Sequence, residues 1–191
     1  MKNVKLISTQ ISAILLTAFL FQSCQKEEEI LFESVGNEFI TTVQLKLING
    51  TDTIIGTWRD LTPEDAILPD TSQAFLNLKT NKIYEGEVIL LDETQSPIFN
   101  VSEKIQERAN IHLFGYLPDA NLAAVATFET TDFDTNNPPL PLGLKFRVNV
   151  GANQTNGILN VVLKHQPNLK NGTLSPGGSD IDVNFNVTIS N

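Results

Sequence analysis

Apolar and polar residues alternate along much of the second half of the chain, and a period of two predicts half-buried β-strands. The clearest run lies between Ile181 and Ile189. Its apolar face holds Ile181, Val183, Phe185, Val187 and Ile189, and its polar face holds Asp182, Asn184, Asn186 and Thr188. This register predicts that the Phe185 ring lies in the core, whereas Asp180 and Asp182 belong to the solvated face.

The same period begins earlier in the chain, near Phe39. One face of this run carries Phe39, Thr41, Val43, Leu45 and Leu47. Asn49-Gly50 then predicts a tight turn, because both residues tolerate a positive φ, and 53–59 returns as the second strand of a hairpin. Trp58 is expected in the core or at a strand edge. Further strands are predicted at 74–78, 82–92, 111–116, 122–130, 142–150 and 157–166.

One stretch has a helical period instead. Either Asn100 or Ser102 can cap a helix start, and the helix is expected to end near Asn110. Its buried stripe would consist of Val101, Ile105 and Ala109. About nine strands with one short helix predict an all-β fold, an immunoglobulin-like β-sandwich of about seven to nine strands. A closed barrel is the alternative, and parallel α/β folds are disfavoured because long helices do not alternate with the strands.

The N-terminus has the layout of a secretory signal peptide. Lys2 and Lys5 precede a mostly apolar run at 6–21. That run is shorter than the roughly 20 residues of a membrane span, and charged residues follow it closely. The layout predicts a signal peptide at 1–23.

Ser23 and Cys24 resemble a bacterial lipobox, although Gln22 stands where relatives often have a small residue. The alternatives are half of a disulfide, for which the chain offers no second cysteine, and a buried free thiol, against which the flanking residues fit lipoprotein processing. We therefore predict that Cys24 becomes the first mature residue. Acyl chains such as palmitate on this cysteine would hold the protein at the membrane.

An acidic segment follows the predicted lipidation site. Lys26, Glu27, Glu28 and Glu29 resemble the surface-export signal of Bacteroidota lipoproteins, and a solvated tether is the plainer alternative. We predict a tether at 24–37 and a single domain at 38–191. The protein is expected in the outer membrane, facing the cell exterior.

Charge and length limit the range of partners. The 191 residues carry a formal charge of −9, which becomes −11 once Lys2 and Lys5 are removed with the signal peptide. Such a surface repels phosphate backbones, so nucleic acid is excluded as a partner. The 168 residues that follow position 23 suffice for one domain with a substantial core. We expect a monomer.

Two histidines are the main candidates for chemistry. His165 continues the face of Leu159, Val161 and Leu163, so it should lie at the core side of a strand end. His112 and His165 could bind a metal ion if a carboxylate completes the site, or could simply be bonded to backbone at the sandwich rim.

A second candidate site has alternating oxygen ligands. Asp132-x-Asp134-x-Asn136 resembles part of a calcium loop, but it lacks the glycine and the distal glutamate of such loops. An ordinary polar turn is the alternative. The sequence carries no GxSxG or HExxH motif and no phosphate-binding glycine loop, so we expect no enzymatic activity. Beyond the lipid on Cys24, the only cofactor considered is such a metal ion.

Three blocks of sequence resemble a family of small lipoproteins from marine and other Bacteroidota. They are TTVQLKLING with the following TWRDL, the stretch from Glu103 through His112 to Phe114, and LNVVLKHQPNLKNGTLSPGGSDIDVNFNVTI. Members are sometimes labelled as having a type 1 periplasmic-binding fold, which the strand pattern contradicts. The resemblance implies association with a TonB-dependent outer-membrane receptor. It does not extend to cation sites in the loops TWRDLTPEDA and DFDTNNPPLPLG, where this chain departs from the family.

Two classes of function follow from these observations. The first is a non-catalytic binding module that captures a small ligand or a metal complex for an outer-membrane receptor. The second is a structural or adhesive lipoprotein that binds protein or polysaccharide through its loops or an exposed sheet face.

Overall fold

The alternating segments form strands that pair into two sheets. The computed structural model describes residues 38–63 and 66–191, and the predictions for the signal peptide 1–23, Cys24, Lys26 to Glu29 and the tether 24–37 lie outside them. The strands are β1 (Thr42–Asn49), β2 (Asp52–Arg59), β3 (Asp70–Gln73), β4 (Phe75–Lys79), β5 (Ile83–Asp92), β6 (Phe99–Asn100), β7 (His112–Pro118), β8 (Ala126–Thr130), β9 (Lys145–Val150), β10 (Thr155–His165) and β11 (Gly178–Ser190). The helices are α1 (Val101–Glu107), a 3-10 helix (Ala109–Ile111) and α2 (Ala120–Ala123).

The first sheet has the order β3-β2-β1-β5-β9-β8, with β6 paired to β5. The second has the order β4-β11-β10-β7, and all pairs in both sheets are antiparallel except β4 with β11. The predicted all-β sandwich is confirmed. The described residues hold eleven strands rather than seven to nine, because β3 and β6, with four and two residues, are too short to show a period.

The first hairpin forms as predicted. β1 and β2 pair from Asn49 opposite Asp52, and Gly50 adopts a φ of 61° in the turn between them. The alternation was predicted to begin near Phe39, but Phe39 is 44% exposed and does not belong to the buried face. The regular alternation begins only with β1 at Thr42, and Phe39 precedes it.

Apolar side chains from both sheets meet in one core. Phe146 of the first sheet and Phe185 of the second are its largest fully buried side chains. A Cβ added to Gly56 in β2 would lie 3.2 Å from the Phe185 ring, so the two sheets touch at this point. A Cβ on Gly86 would lie 2.5 Å from the Phe146 ring, which therefore needs a glycine beside it. The predicted burial of Phe185 is confirmed.

The predicted helix is present. Asn100 caps α1 by accepting a hydrogen bond from the Ser102 N–H, and the helix ends at Glu107. Val101 and Ile105 form its buried stripe, and Ala109 is buried as predicted but lies in the 3-10 helix that follows. The strand predicted at 122–130 starts later, at Ala126, because the Asp119 carboxylate caps α2 in front of it.

The helices of the described residues are all short and polar enough that none could cross a membrane.

Candidate metal centre

Four ionisable side chains converge where β7 begins and β10 ends. They are Glu38, His112, His165 and Asp180, and one potential ligand atom from each lies within 4.8 Å of the others. His112 Nε2 is 3.5 Å from Glu38 Oε2 and 3.7 Å from Asp180 Oδ2. His165 Nδ1 is 3.8 Å from Asp180 Oδ1. Residues far apart in the sequence thus share one small polar space inside the domain.

Strand pairing places the two histidines side by side. His112 is the first residue of β7 and lies opposite His165, the last residue of β10. Their rings stack with centroids 4.9 Å apart. His165 is buried on the core side of β10, as its register predicted. Gly177 passes so close that an added Cβ would lie 2.1 Å from the His165 carbonyl oxygen, and its φ is +81°.

A β-bulge directs Asp180 into the site. Leu163 pairs with Ile181, but the next residue, Lys164, pairs with Ser179, so Asp180 is the extra residue in β11. A bulge of this kind changes the face to which a side chain points. The Asp180 side chain is fully buried, and its predicted place on the solvated face was wrong. Asp182, beyond the bulge, is exposed as predicted.

The backbone carbonyl of Arg108, directly after α1, fixes the orientation of the His112 ring. His112 Nδ1 lies 3.0 Å from the carbonyl oxygen of Arg108. A carbonyl oxygen can only accept a hydrogen bond, so Nδ1 carries the proton and, in the neutral ring, Nε2 keeps a free lone pair. That lone pair faces Glu38 and Asp180. A second ring nitrogen bonded to a backbone carbonyl is the usual support of a metal-binding histidine.

Glu38 is oriented by the side chain of the same arginine. Arg108 Nη1 donates to Glu38 Oε1 at 2.7 Å. The other carboxylate oxygen, Oε2, is left facing His112 Nε2. One oxygen is therefore used to hold the side chain, and the other is free to bind a ligand.

The atoms that face each other are buried and unsatisfied. Glu38 Oε2, His112 Nε2 and both carboxylate oxygens of Asp180 have no hydrogen-bond partner. Each such buried atom costs about 1 to 3 kcal/mol, and more where it is charged. When His112 is neutral, its Nε2 lone pair and the carboxylate lone pairs that it faces also repel. A cation between these atoms would satisfy all of them at once.

The surroundings shift the protonation of three groups. Burial and the negative charge of Glu38 raise the pKa of Asp180 to about 7. Burial also acts to raise the pKa of Glu38, but a hydrogen bond and positive charge from His112 in its protonated form, together with the charge of Arg108, outweigh it and lower this pKa to about 2. Burial and the neighbouring His112 lower the pKa of His165. At neutral pH Glu38 is thus ionised and His165 is neutral, the forms in which both bind metals.

The ligand set suits a zinc-like ion. Zn²⁺ binds histidine nitrogen and carboxylate oxygen at about 2.0 to 2.2 Å in tetrahedral sites, which places neighbouring ligand atoms about 3.3 to 3.6 Å apart. The separations of 3.5 to 3.8 Å between His112 and Glu38, His112 and Asp180, and His165 and Asp180 are close to this value, although the two histidines face different oxygens of Asp180. The longest, 4.8 Å, requires the side chains to draw closer around an ion.

The Asp132-x-Asp134-x-Asn136 loop is not part of this cluster. Asp134 accepts hydrogen bonds from Asn136 and from the Leu140 N–H, and it forms a buried ion pair with Lys170 at 2.8 Å. Asp132 accepts a hydrogen bond from the Gly143 N–H at 2.7 Å. The structure therefore brings together the two histidines but not the loop residues, and the Asp134 carboxylate is already neutralised by an ammonium group.

Sequence reasoning missed two members of the cluster. Asp180 could have been found, because Gly177-Gly178 just before the last strand is a signal for a bulge or a close backbone approach. Glu38 carries no local signal, since it precedes β1 and belongs to no periodic pattern.

Comparison of the chain with protein-family models, with curated proteins and with solved structures finds no match.

Proposed function

We propose that the protein is a lipid-anchored, non-catalytic binding module that holds a divalent metal ion of the zinc type. The observation that carries the proposal is the set of buried, unpartnered atoms on Glu38, His112 and Asp180, which face one another beside His165. Hydrogen bonds from the protein leave these atoms unsatisfied, and a bound cation supplies what they lack.

The number of protein ligands favours binding over catalysis. Catalytic zinc sites keep one position open for water or substrate, whereas closed sites use four protein ligands. Here two histidines and two carboxylates can fill a tetrahedral shell. Their formal charge of −2, from Glu38 and ionised Asp180, matches a divalent cation.

The location rests on the N-terminal sequence. A signal peptide at 1–23 and lipidated Cys24 would place the domain on the outer membrane, and Lys26 to Glu29 would direct it to the cell exterior. An outer-membrane receptor of the TonB-dependent kind is the proposed partner for a captured ion or metal complex. In this arrangement the lipid keeps the binding module beside the receptor.

The metal proposal is tested by titrating the full chain in detergent micelles with Zn²⁺ against a competing chelator. We expect one tightly bound ion per chain, and we expect His112→Gln or Asp180→Asn to weaken binding by about 100-fold or more, because each removes a ligand from the ion. The matched control is Asp182→Asn, which neutralises an exposed carboxylate two residues away in the same strand.

The comparison of Asp180→Asn with Asp182→Asn shows whether Zn²⁺ binds at the buried cluster or at carboxylates on the acidic surface. Equal affinities in the two variants would show that Zn²⁺ binds surface carboxylates. A titration in which the wild-type chain takes up no Zn²⁺ would contradict the proposal outright.

The anchor is tested separately. Cys24→Ala should yield soluble protein or an uncleaved precursor, because the cysteine that would carry the lipid is gone. Metabolic labelling with a fatty acid, followed by membrane fractionation, measures this. Lipid labelling that persists in Cys24→Ala would overturn the anchor without affecting the metal proposal.

A further inference from the structure

We infer that Arg108 is the internal counter-cation of the metal-free site and leaves His165 when a metal ion binds; this inference rests on the proposed metal binding. Arg108 lies between α1 and the 3-10 helix and contacts three of the four ligand residues. Its guanidinium supplies positive charge to the cluster while the ion is absent. It thereby sets how readily an ion enters and leaves.

The contacts of Arg108 differ in kind. Its carbonyl oxygen accepts a hydrogen bond from His112 Nδ1, and its Nη1 donates one to Glu38 Oε1. These contacts leave His112 Nε2 and Glu38 Oε2 free to bind an ion. The third contact joins Nη2 to His165 Nε2 at 3.5 Å. The first two contacts orient ligands for an ion. The third contact opposes ion binding, because it determines which ring nitrogen of His165 carries the proton.

A guanidinium group has only donors, so Nε2 of His165 must be the acceptor in this contact. A neutral imidazole that accepts at Nε2 carries its proton on Nδ1. Nδ1 is the atom that lies near Asp180, and with a proton it cannot bind a metal. If a metal binds at Nδ1, the proton must be on Nε2, where it would face a guanidinium N–H. If a metal binds at Nε2, the guanidinium occupies its place. In both cases the Arg108–His165 contact must break.

The Arg108 guanidinium can move from the cluster into solvent. The Arg108 side chain is 35% exposed, whereas the side chains of His112 and Asp180 are fully buried and that of Glu38 is 10% exposed. The Arg108 side chain can therefore rotate into solvent without exposing the core. Arginine is always charged at physiological pH, so its departure also removes a repulsive charge from beside the incoming ion.

The test uses the full chain in detergent micelles, Zn²⁺ with a competing chelator, and the variants Arg108→Gln and Arg147→Gln. Arg108→Gln removes the charged contact with His165 that otherwise has to break before an ion binds, and the loss of such a contact from the metal-free state tightens binding by about tenfold. We expect this gain, with faster association in stopped flow, for Arg108→Gln. Arg147 is the matched control, because it is 45% exposed and pairs with Glu85 in the first sheet, outside the cluster.

A second readout follows Arg108 itself. An arginine-specific dicarbonyl reagent, with mass spectrometry of the labelled peptides, should modify Arg108 faster in the Zn²⁺-bound protein than in the metal-free protein, while the rate at Arg147 stays the same. Unchanged or weaker Zn²⁺ binding by Arg108→Gln, or protection of Arg108 by Zn²⁺, would overturn the inference while leaving metal binding intact. Absence of Zn²⁺ binding in the wild type would overturn both.

Discussion

Replacing Phe185 with alanine should remove about 3 to 5 kcal/mol from the free energy of unfolding, because it leaves a cavity that the two sheets cannot close. The ring is fully buried in β11 and reaches Gly56 of the opposite sheet. A single domain of this size has about 5 to 15 kcal/mol of stability in total, so much of the protein could unfold. Urea melts followed by circular dichroism measure the change.

The control for this variant is the neighbouring residue on the other face of the strand. Asn186 is exposed, so Asn186→Ala should change the free energy of unfolding by no more than about 0.5 kcal/mol. A loss for Asn186→Ala as large as that for Phe185→Ala would mean that β11 does not have one buried and one solvated face.

Replacing Lys170 with methionine should cost about 3 to 5 kcal/mol, because it leaves the buried carboxylate of Asp134 without its cation. The Lys170 ammonium is 2% exposed and the Asp134 side chain is fully buried. The same ammonium also donates to the carbonyl oxygen of Ala109, so it joins two loops to the end of the helical segment. Methionine is an unbranched side chain only one atom shorter than lysine, so the substitution mainly removes the charge and the donors. Urea melts at neutral pH give the loss.

An exposed lysine provides the comparison. Lys104 pairs with Glu107 on the surface of α1, where the two side chains are 51% and 63% exposed. Exposed pairs of this kind contribute at most about 1 kcal/mol, and methionine has a similar helix propensity, so Lys104→Met should have little effect. Similar losses for Lys170→Met and Lys104→Met would show that the buried ion pair does not stabilise the loops.

Local patterns predicted the elements and missed the relations between distant ones. The alternation in β11 placed Phe185 correctly, because a strand with one buried face repeats every two residues. The same rule failed for Asp180, since a bulge depends on how β10 and β11 pair and not on either sequence alone. Alternation also placed His165 in the core, but nothing local indicated that His112 would lie beside it.

Glu38 and Arg108 illustrate a second limit. Glu38 precedes the first strand, and Arg108 follows a helix whose buried stripe was predicted correctly. Glutamate and arginine are residue types that ordinarily occupy surface positions. Their roles arise only when the sandwich brings the chain before β1 to the end of α1, where Arg108 and Glu38 form an ion pair. Tertiary contacts of this kind are not encoded in the period of either segment.

The most direct test of the metal site is anomalous scattering from crystals of the protein grown with Zn²⁺, measured on both sides of the zinc absorption edge. We predict one strong anomalous peak inside the domain, about 2.0 to 2.2 Å from Glu38 Oε2, His112 Nε2, a ring nitrogen of His165 and an Asp180 oxygen. The same crystals should show the Arg108 guanidinium away from His165. Peaks only at surface carboxylates, with none among these four residues, would contradict the assignment.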